Sequence, residues 1–183
     1  HQEPLRKRIL LSLNIDLVVQ HLLRFVQEQN LERIEPVFDE ESPIGSTRYM
    51  RAWYTTKPCH PTRKSQISHM LADSSWEQYA ANVLEKSDKV VAYAKNDHLG
   101  FQIYYLWNGA RRRFVSDFLI RLVNGKTLVL EIKGQDTEQN RAKRSALDTW
   151  VKGVNEKGGF GTWTSDVAFE PAQIHDTIER HAR

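Results

Sequence analysis

Cysteine is nearly missing: one, Cys59, in 183 residues. A lone thiol closes no internal disulfide, which excludes a disulfide-stapled secreted scaffold and makes a cytoplasmic setting the expectation. Long hydrophobic runs are missing as well. No apolar stretch approaches the ~18 residues a membrane span requires, and no signal-peptide pattern opens the chain, so no membrane partner is expected. Charge of one sign is scarce: 26 Lys+Arg against 23 Asp+Glu leave +3, a balance that permits nucleic-acid binding without arguing for it. Internal repeats and low-complexity segments are absent. What remains is 40% hydrophobic residues with five Trp, seven Phe and six Tyr, enough for a real core and too much for a disordered tail. The length fits one domain, or one domain with an appendage. The chain begins at His1 rather than Met, so a segment of a longer polypeptide is expected.

Residues 1–13 open with the basic stretch LRKR and run into ILLSL. Asn14 is a good N-cap, and Ile15, Val18, Val19, Leu22, Leu23 and Val26 recur at helical spacing, predicting a helix to about Arg33. Residues 35–73 carry Pro36, Pro43, Gly45, Pro58 and Pro61, which predicts an irregular connector anchored by Trp53 and Tyr54. The expected division is therefore an N-terminal helix and connector over 1–73, and a folded core over 74–183.

Within that core, SSWEQYAANVLEK reads as a helix with Trp76, Tyr79, Ala80, Val83 and Leu84 on one face. VVAYA (90–94) and FQIYYLW (101–107) read as strands rich in β-branched and aromatic residues. After the Asn108-Gly109 turn, RRRFVSDFLIRL enters a third strand, and after Asn124-Gly125, TLVLEIKG forms a fourth. An amphipathic helix from about Asp136 to Asn155 follows, with Ala142, Ala146, Leu147, Trp150, Val151 and Val154 as its buried stripe, and Gly158 and Gly159 stop it. TWTSDVAF (162–169) is a last strand, and Pro171 opens a short terminal helix. The predicted class is α/β, with a central mixed sheet flanked by helices and an N-terminal helical and irregular extension.

The chemistry concentrates in Ser116-Asp117 and Glu131-Ile132-Lys133. Glu131 and Lys133 are two apart on a strand and share a face, while Leu128, Leu130 and Ile132 occupy the other. Phe118, Ile120 and Leu122 form the apolar set of the preceding strand. If both apolar sets meet one core, Asp117, Glu131 and Lys133 share the opposite face. That requires partners of equal parity, hence a turn of odd length: three residues with Gly125 left-handed, or a bulge, rather than a two-residue Asn-Gly hairpin. Two carboxylates held close together repel unless a cation neutralises them. Mg²⁺, with Mn²⁺ able to substitute, takes one or two carboxylates and leaves its other positions to water and phosphate. An adjacent lysine can stabilise charge developing on a phosphoryl group. The pattern points to phosphodiester hydrolysis.

Asp117 followed by Glu131-x-Lys133 across a strand, turn and strand resembles the PD-(D/E)-x-K nuclease superfamily. The runs WEQYAANVLE, YAKNDHLGFQIYY, RRRFVSDFLIRL, LVLEIKGQD and KRSALDTWVKGVNEKGGFGTW are similar to the C-terminal endonuclease region of type III restriction-enzyme Res subunits and their helicase-linked relatives. The superfamily's Pro before the metal-binding Asp is Ser116 here. The resemblance implies a restriction-endonuclease-like αβββαβ core and Mg-dependent DNA cleavage leaving a 5′-phosphate and 3′-hydroxyl. It implies metal ligation by Asp117, Glu131 and the backbone carbonyl of Ile132, with Lys133 as the catalytic lysine. Its implied partners are DNA, a helicase motor upstream in the parent polypeptide, and a modification or specificity subunit; a homodimer would supply two cuts.

Glu77 carries two readings. It matches the place of a first-helix metal ligand in that superfamily, and Ser74-x-x-Glu77 is also a capping box. Arg111, Arg112, Arg113, Arg141, Lys143 and Arg144 flank the cluster and are expected to contact DNA phosphates, unless they are ordinary solvated surface. Gln135 and Gln139 lie just past the lysine, within reach of a scissile phosphate. Gly125-Lys126-Thr127 mimics the end of a phosphate-binding loop but lies between two strands, so no nucleotide site is expected. Cys59, His60 and His69 match no standard zinc spacing. Lys95-Asn96-Asp97-His98 belongs to the resemblance without a derivable role; a turn held by Asn96 and Asp97 is the simpler reading. The rival to an enzyme is a nuclease-like module that docks DNA or a partner with little or no cleavage in isolation, and behind it a purely structural docking domain.

Overall fold

The computed structural model describes residues 4–29, 47, 50–57 and 59–183. Cα packing divides the chain into two units, His1–Glu35 and Pro36–Arg183. In the first, α1 (Pro4–Leu13) and α2 (Ile15–Gln29) are helices. The amide of Val18 bonds the Asn14 carbonyl, so α2 begins where the sequence places it. Helix α1 was not expected from the basic LRKR stretch. The predicted end of α2 near Arg33, and the connector's Pro36, Pro43, Gly45 and Pro58, lie outside the described residues.

The second unit runs β1 (Cys59–Pro61), β2 (His69–Leu71), α3 (Ser75–Lys86), β3 (Val90–Lys95), β4 (Ile103–Trp107), β5 (Ala110–Phe114), β6 (Phe118–Leu122), β7 (Lys126–Ile132), α4 (Glu138–Lys157), β8 (Thr162–Ala168) and α5 (Gln173–Ala182). It is α/β. Its main sheet has the order β3-β6-β7-β8, antiparallel except for the parallel β7–β8 pair. A parallel neighbour needs a crossover of a dozen residues or more, and α4 supplies it. Strand β7 lies inside the sheet with both faces covered, which is why Thr127–Glu131 is buried without alternation.

One face of the sheet presents Phe118, Ile120, Leu122, Leu128 and Leu130 to Ala80, Ala81 and Leu84 of α3 and to Ile174 and Ile178 of α5. Each such fully buried Leu, Ile or Phe contributes about 1.5–3 kcal/mol. The other face carries Leu119 and Val129, packed with Leu147 of α4 and with Phe101, Ile103, Tyr105 and Phe114. Phe101, Trp150 and Trp163 close that second core, Trp150 standing edge-on to both other rings with centroids 5.1 Å away.

Three details differ from the sequence reading. RRRFVSDFLIRL is not one strand: it breaks at residues 115–117 into β5, which pairs with β4 as a separate two-stranded ribbon, and β6, which joins the main sheet. No Gly or Pro marks the break, and burial alternates through it from Phe114 to Ile120, so only the strand pairing reveals it. The last part of the connector is structured: β1 and β2 pair, Met70 enters the core, and the Lys64 carbonyl accepts the Tyr93 amide. The helix α4 starts two residues later and ends two residues later than Asp136–Asn155, between a Thr137 N-cap and Gly158 at φ 70°. Among the described residues no helix is long and apolar enough to cross a membrane.

Candidate active site

The β6–β7 pairing sets Phe118 opposite Leu130 and Ile120 opposite Leu128, partners of equal parity. The turn is residues 123–125, closed by the Gly125 amide on the Leu122 carbonyl, with Gly125 at φ 81°. This is the odd-length, left-handed-glycine turn that the apolar pattern demanded. One step beyond Phe118 and Leu130, the register brings Asp117 opposite Glu131, on the face of Leu119 and Val129. That face is not open: α4 covers it, and Glu131 is only 4% exposed.

The Asp117 carboxylate accepts the Ile132 backbone N–H at 2.7 Å, where the ladder would otherwise continue. Lys133 donates to Glu131 Oε1 at 2.7 Å. Burial pushes the Asp117 carboxyl above its ordinary range, against the Ile132 hydrogen bond and the Lys133 charge, which pull it down. Burial, and then the charge on Asp117, push Glu131 up to about 7, with Lys133 pulling the other way. For Lys133, burial by itself favours the neutral amine, but the Glu131 contact and the Asp117 charge outweigh it and raise its pKa.

Among the described residues, three buried side-chain oxygens lack a hydrogen-bond partner: Asn96 Oδ1, Ser116 Oγ and Glu131 Oε2. All three lie at one end of the sheet. Asn96 follows the β3 residue that pairs with Phe118, and its amide bonds the Asp117 carbonyl; Ser116 adjoins Asp117. A buried orphan oxygen costs about 1–3 kcal/mol and calls for an explanation. Two carboxylates with elevated pKa values, one bearing such an oxygen, form a hard-oxygen donor set that suits a small divalent cation. The Ile132 carbonyl belongs to the residue whose N–H holds Asp117. No group of three or more His, Cys, Asp or Glu side chains among the described residues is arranged to hold a metal ion, so such an ion would rest on these two carboxylates and the backbone.

Phe114, Asn140, Lys143, Arg144, Leu147, Val167 and Phe169 line a narrow crevice of about 10 Å³ with Glu131 and Lys133. Lys143 lies 5.6 Å over the Phe114 ring, and its charge is felt at Glu131. Arg144 sits over Phe169 and pairs with Asp136 at 2.7 Å. Arg141 is turned instead toward Asp136 and Glu138. Gln139 donates to the Tyr105 hydroxyl at 2.8 Å, and Gln135 is exposed, its carbonyl accepting from Asn140. The arginine triplet divides by strand alternation. Arg112 pairs with Tyr105 on the side of the ribbon facing α4, while Arg111 and Arg113 pair with Leu106 and Tyr104 on the outer side.

Glu77 fills a capping role in altered form. Its amide bonds the Ser74 hydroxyl, and its carboxylate accepts from the Asp73 amide rather than from the cap residue's own. The same oxygen meets Lys95 at 2.8 Å. Lys95 is the residue whose role the sequence did not disclose. Its ammonium, 7% exposed, also contacts Asp73 at 2.8 Å, Asp97 at 2.9 Å and the Leu71 carbonyl at 2.9 Å. Burial would favour the neutral amine, but the carboxylates outweigh it and raise the pKa. Hydrogen bonds from Lys57 and Lys95 draw Asp73 down to about 2. The Glu77 charge adds, after burial, to the upward shift of Asp117. The Asn96 side chain holds the Phe101 carbonyl at 2.8 Å, as expected of a turn residue, whereas the Asp97 side chain goes to Lys95 instead, and His98, at φ 59°, lies against Trp53. Cys59 pairs with Leu71, His60 bonds Gln78 and His69 bonds Ser68, so these three do not form a site. The Lys126 ammonium, in the loop-like Gly-Lys-Thr, bonds the Arg183 carbonyl at 3.1 Å.

No protein-family model, curated protein or solved structure matches this chain.

Proposed function

We propose that residues 74–183 form the core of a metal-dependent DNA endonuclease domain of the PD-(D/E)-x-K type, with a restriction-endonuclease-like fold, from a restriction-type helicase–nuclease. The observation that carries this reading is the Asp117 carboxylate held on the Ile132 amide, next to a Glu131 whose Oε2 is buried and unpartnered beside Lys133. Asp117, Glu131 and the Ile132 carbonyl would hold Mg²⁺ or Mn²⁺. A cation held by these groups would supply Lewis-acid polarisation of a phosphoryl oxygen and a more nucleophilic water at neutral pH.

The chain's own residues supply the rest. The Ile132 N–H fixes the Asp117 carboxylate in line with Glu131. The Lys133 ammonium, freed from Glu131 Oε1, turns to the phosphoryl oxygens as negative charge builds on them. Lys143 and Arg144 attract the phosphate backbone to the crevice, while Phe114, Leu147 and Phe169 keep it partly dry, which strengthens each of these electrostatic contacts. DNA and an upstream motor are the proposed partners, and Glu77 acts as a cap and a partner for Lys95 rather than as a ligand.

The test is calorimetric titration of Mn²⁺ into wild type and Glu131→Ala, with plasmid nicking on the same samples. Binding that vanishes in the variant, with nicking that tracks it, supports the reading. Binding without nicking moves it to the DNA- or partner-docking module, a rival favoured by the Lys133–Glu131 pair that already occupies one carboxylate oxygen. Neither binding nor nicking leaves a structural docking domain.

A further inference from the structure

A cavity of about 440 Å³ lies between α3 and the β1–β2 hairpin, and it shares no lining residue with the crevice at Glu131 and Lys133. Ser75, Gln78, Tyr79, Asn82 and Glu85 recur three or four apart on α3 and present one helix face to it. The hairpin is held over that face at two points. At one, the Glu85 carboxylate accepts the backbone amides of Arg63 and Lys64 at 3.1 and 3.2 Å and the Tyr93 hydroxyl at 2.9 Å. At the other, the Gln78 and His60 side chains meet at 3.1 Å. Between these clamps the side chains leave the space unfilled, although protein interiors pack to the density of organic crystals. The floor is apolar: Met70, Ala81 and Tyr93 are each buried.

The lining narrows the chemistry of the ligand. No Lys or Arg faces the cavity and a carboxylate stands at one end, so an anion is disfavoured. That carboxylate already accepts three donors, which leaves a cation little to gain. No metal-holding group of His, Cys, Asp or Glu exists among the described residues. What the cavity offers is flat apolar surface, from its floor and from Tyr79, with one free amide on the wall. The Asn82 side chain makes no hydrogen bond to another described residue. An amide presents a donor and an acceptor side by side in one plane. The matching ligand is a neutral planar heterocycle with the complementary pair on its edge, and the adenine N6–N7 edge is the one that Asn reads with two bonds.

We propose that this cavity binds an adenine base, with Asn82 on its N6–N7 edge and Tyr79 against its face. The inference stands apart from the nuclease reading, since neither Asp117 nor Glu131 takes part. A free nucleoside and an unpaired base carried on a single strand present the same edge, and the test separates them.

The experiment is calorimetric titration of the full chain in EDTA with adenosine, guanosine, cytidine and uridine, and with short single-stranded oligo(dA) and oligo(dT). Adenosine should bind with a dissociation constant on the order of 0.1 mM, the strength that ordinary ligand efficiency gives a molecule of its size. The other nucleosides should bind about tenfold more weakly. Asn82→Ala should lower adenosine affinity about tenfold and erase the preference. The residue is exposed and alanine is the better helix former, so this variant keeps the fold. Asn82→Asp keeps an acceptor and loses the donor, and should move the preference toward cytidine, whose N4 donates; a merely structural residue would produce no such exchange. Adenosine bound without oligo(dA) supports a free nucleoside. Oligo(dA) bound without oligo(dT), and lost in Asn82→Ala, supports a base carried on a strand. Four nucleosides bound equally, or adenosine binding that Asn82→Ala retains, overturns the adenine assignment. If none of the six ligands binds, the site itself is overturned, whatever the Mn²⁺ titration shows for Glu131.

Discussion

The Asp117 carboxylate accepts the backbone N–H of Ile132 at 2.7 Å. A side chain of one strand thus caps the ladder of its neighbour at the point where pairing ends, and it does so between Glu131 and Lys133. The bond fixes the carboxylate without consuming its charge, which separates what Asp117 does for the fold from what it would do for a cation.

Asp117→Asn tests that separation. The amide oxygen can still accept the Ile132 N–H, so stability should change by no more than about 1 kcal/mol. Mn²⁺ affinity by calorimetry should fall at least tenfold on the loss of one of two anionic ligands (an order-of-magnitude expectation from the charge count). An unchanged titration would remove Asp117 from the donor set.

Glu131 predicts a pH dependence of the metal-free protein. Its folded pKa is raised from 4.5 to about 7. The folded state therefore binds this proton more tightly than the unfolded chain, and the stability gained is complete below 4.5 and lost as pH rises through about 7. The full swing is about 3 kcal/mol as an upper figure. Glu131→Gln should flatten this part of the stability–pH profile and should melt higher than wild type at pH 8 in EDTA. A variant that melts lower at pH 8 would show that the buried charge is compensated in the fold.

Lys133→Ala should leave the fold within about 1 kcal/mol, because the ammonium is a third exposed and its pair with Glu131 is discounted by solvent. Cleavage should fall by roughly 10²–10³, the usual cost of losing a group aimed at developing charge. Nicking rates read beside duplex affinity in Ca²⁺ or EDTA check this, and a loss of affinity equal to the loss of rate would make Lys133 a binding residue only.

Lys95→Met should be the most damaging of these changes to the fold. It strands Asp73, Glu77 and Asp97, each within 2.9 Å of the lost ammonium, around an uncharged side chain. Removing one member of a buried ionic cluster costs about 3–5 kcal/mol; partial exposure of Asp73 and Asp97 places the expectation near the lower end. Glu77→Gln keeps an acceptor for the Asp73 amide and should cost on the order of 1 kcal/mol. Urea unfolding of the two variants reads the difference. Abolished Mn²⁺ binding in Glu77→Gln at unchanged stability would instead restore the ligand reading of that residue.

The sequence by itself determined the local devices and one long-range relation. Ser74 and the glycines at 125 and 158 mark their caps and turns because few other residues tolerate those backbone demands or offer those acceptors. The Asp117–Glu131 relation was legible because strand side chains alternate with period two, so the apolar sets of two neighbouring strands fix the polar residues as well. Tertiary structure alone decided the rest. The break at residues 115–117 follows from Phe114 packing under α4 while Phe118 packs under α3 and α5, and no local pattern distinguishes those two cores. Lys95 gathers carboxylates from the start of α3 and from the turn after β3, residues up to 22 positions away, and a charge pattern in one dimension cannot show convergence in three. The burial of Glu131 was equally hidden. Its strand neighbours predict a polar face, and only the crossing of α4 over that face turns an exposed carboxylate into one held near neutrality, with an oxygen left unpaired.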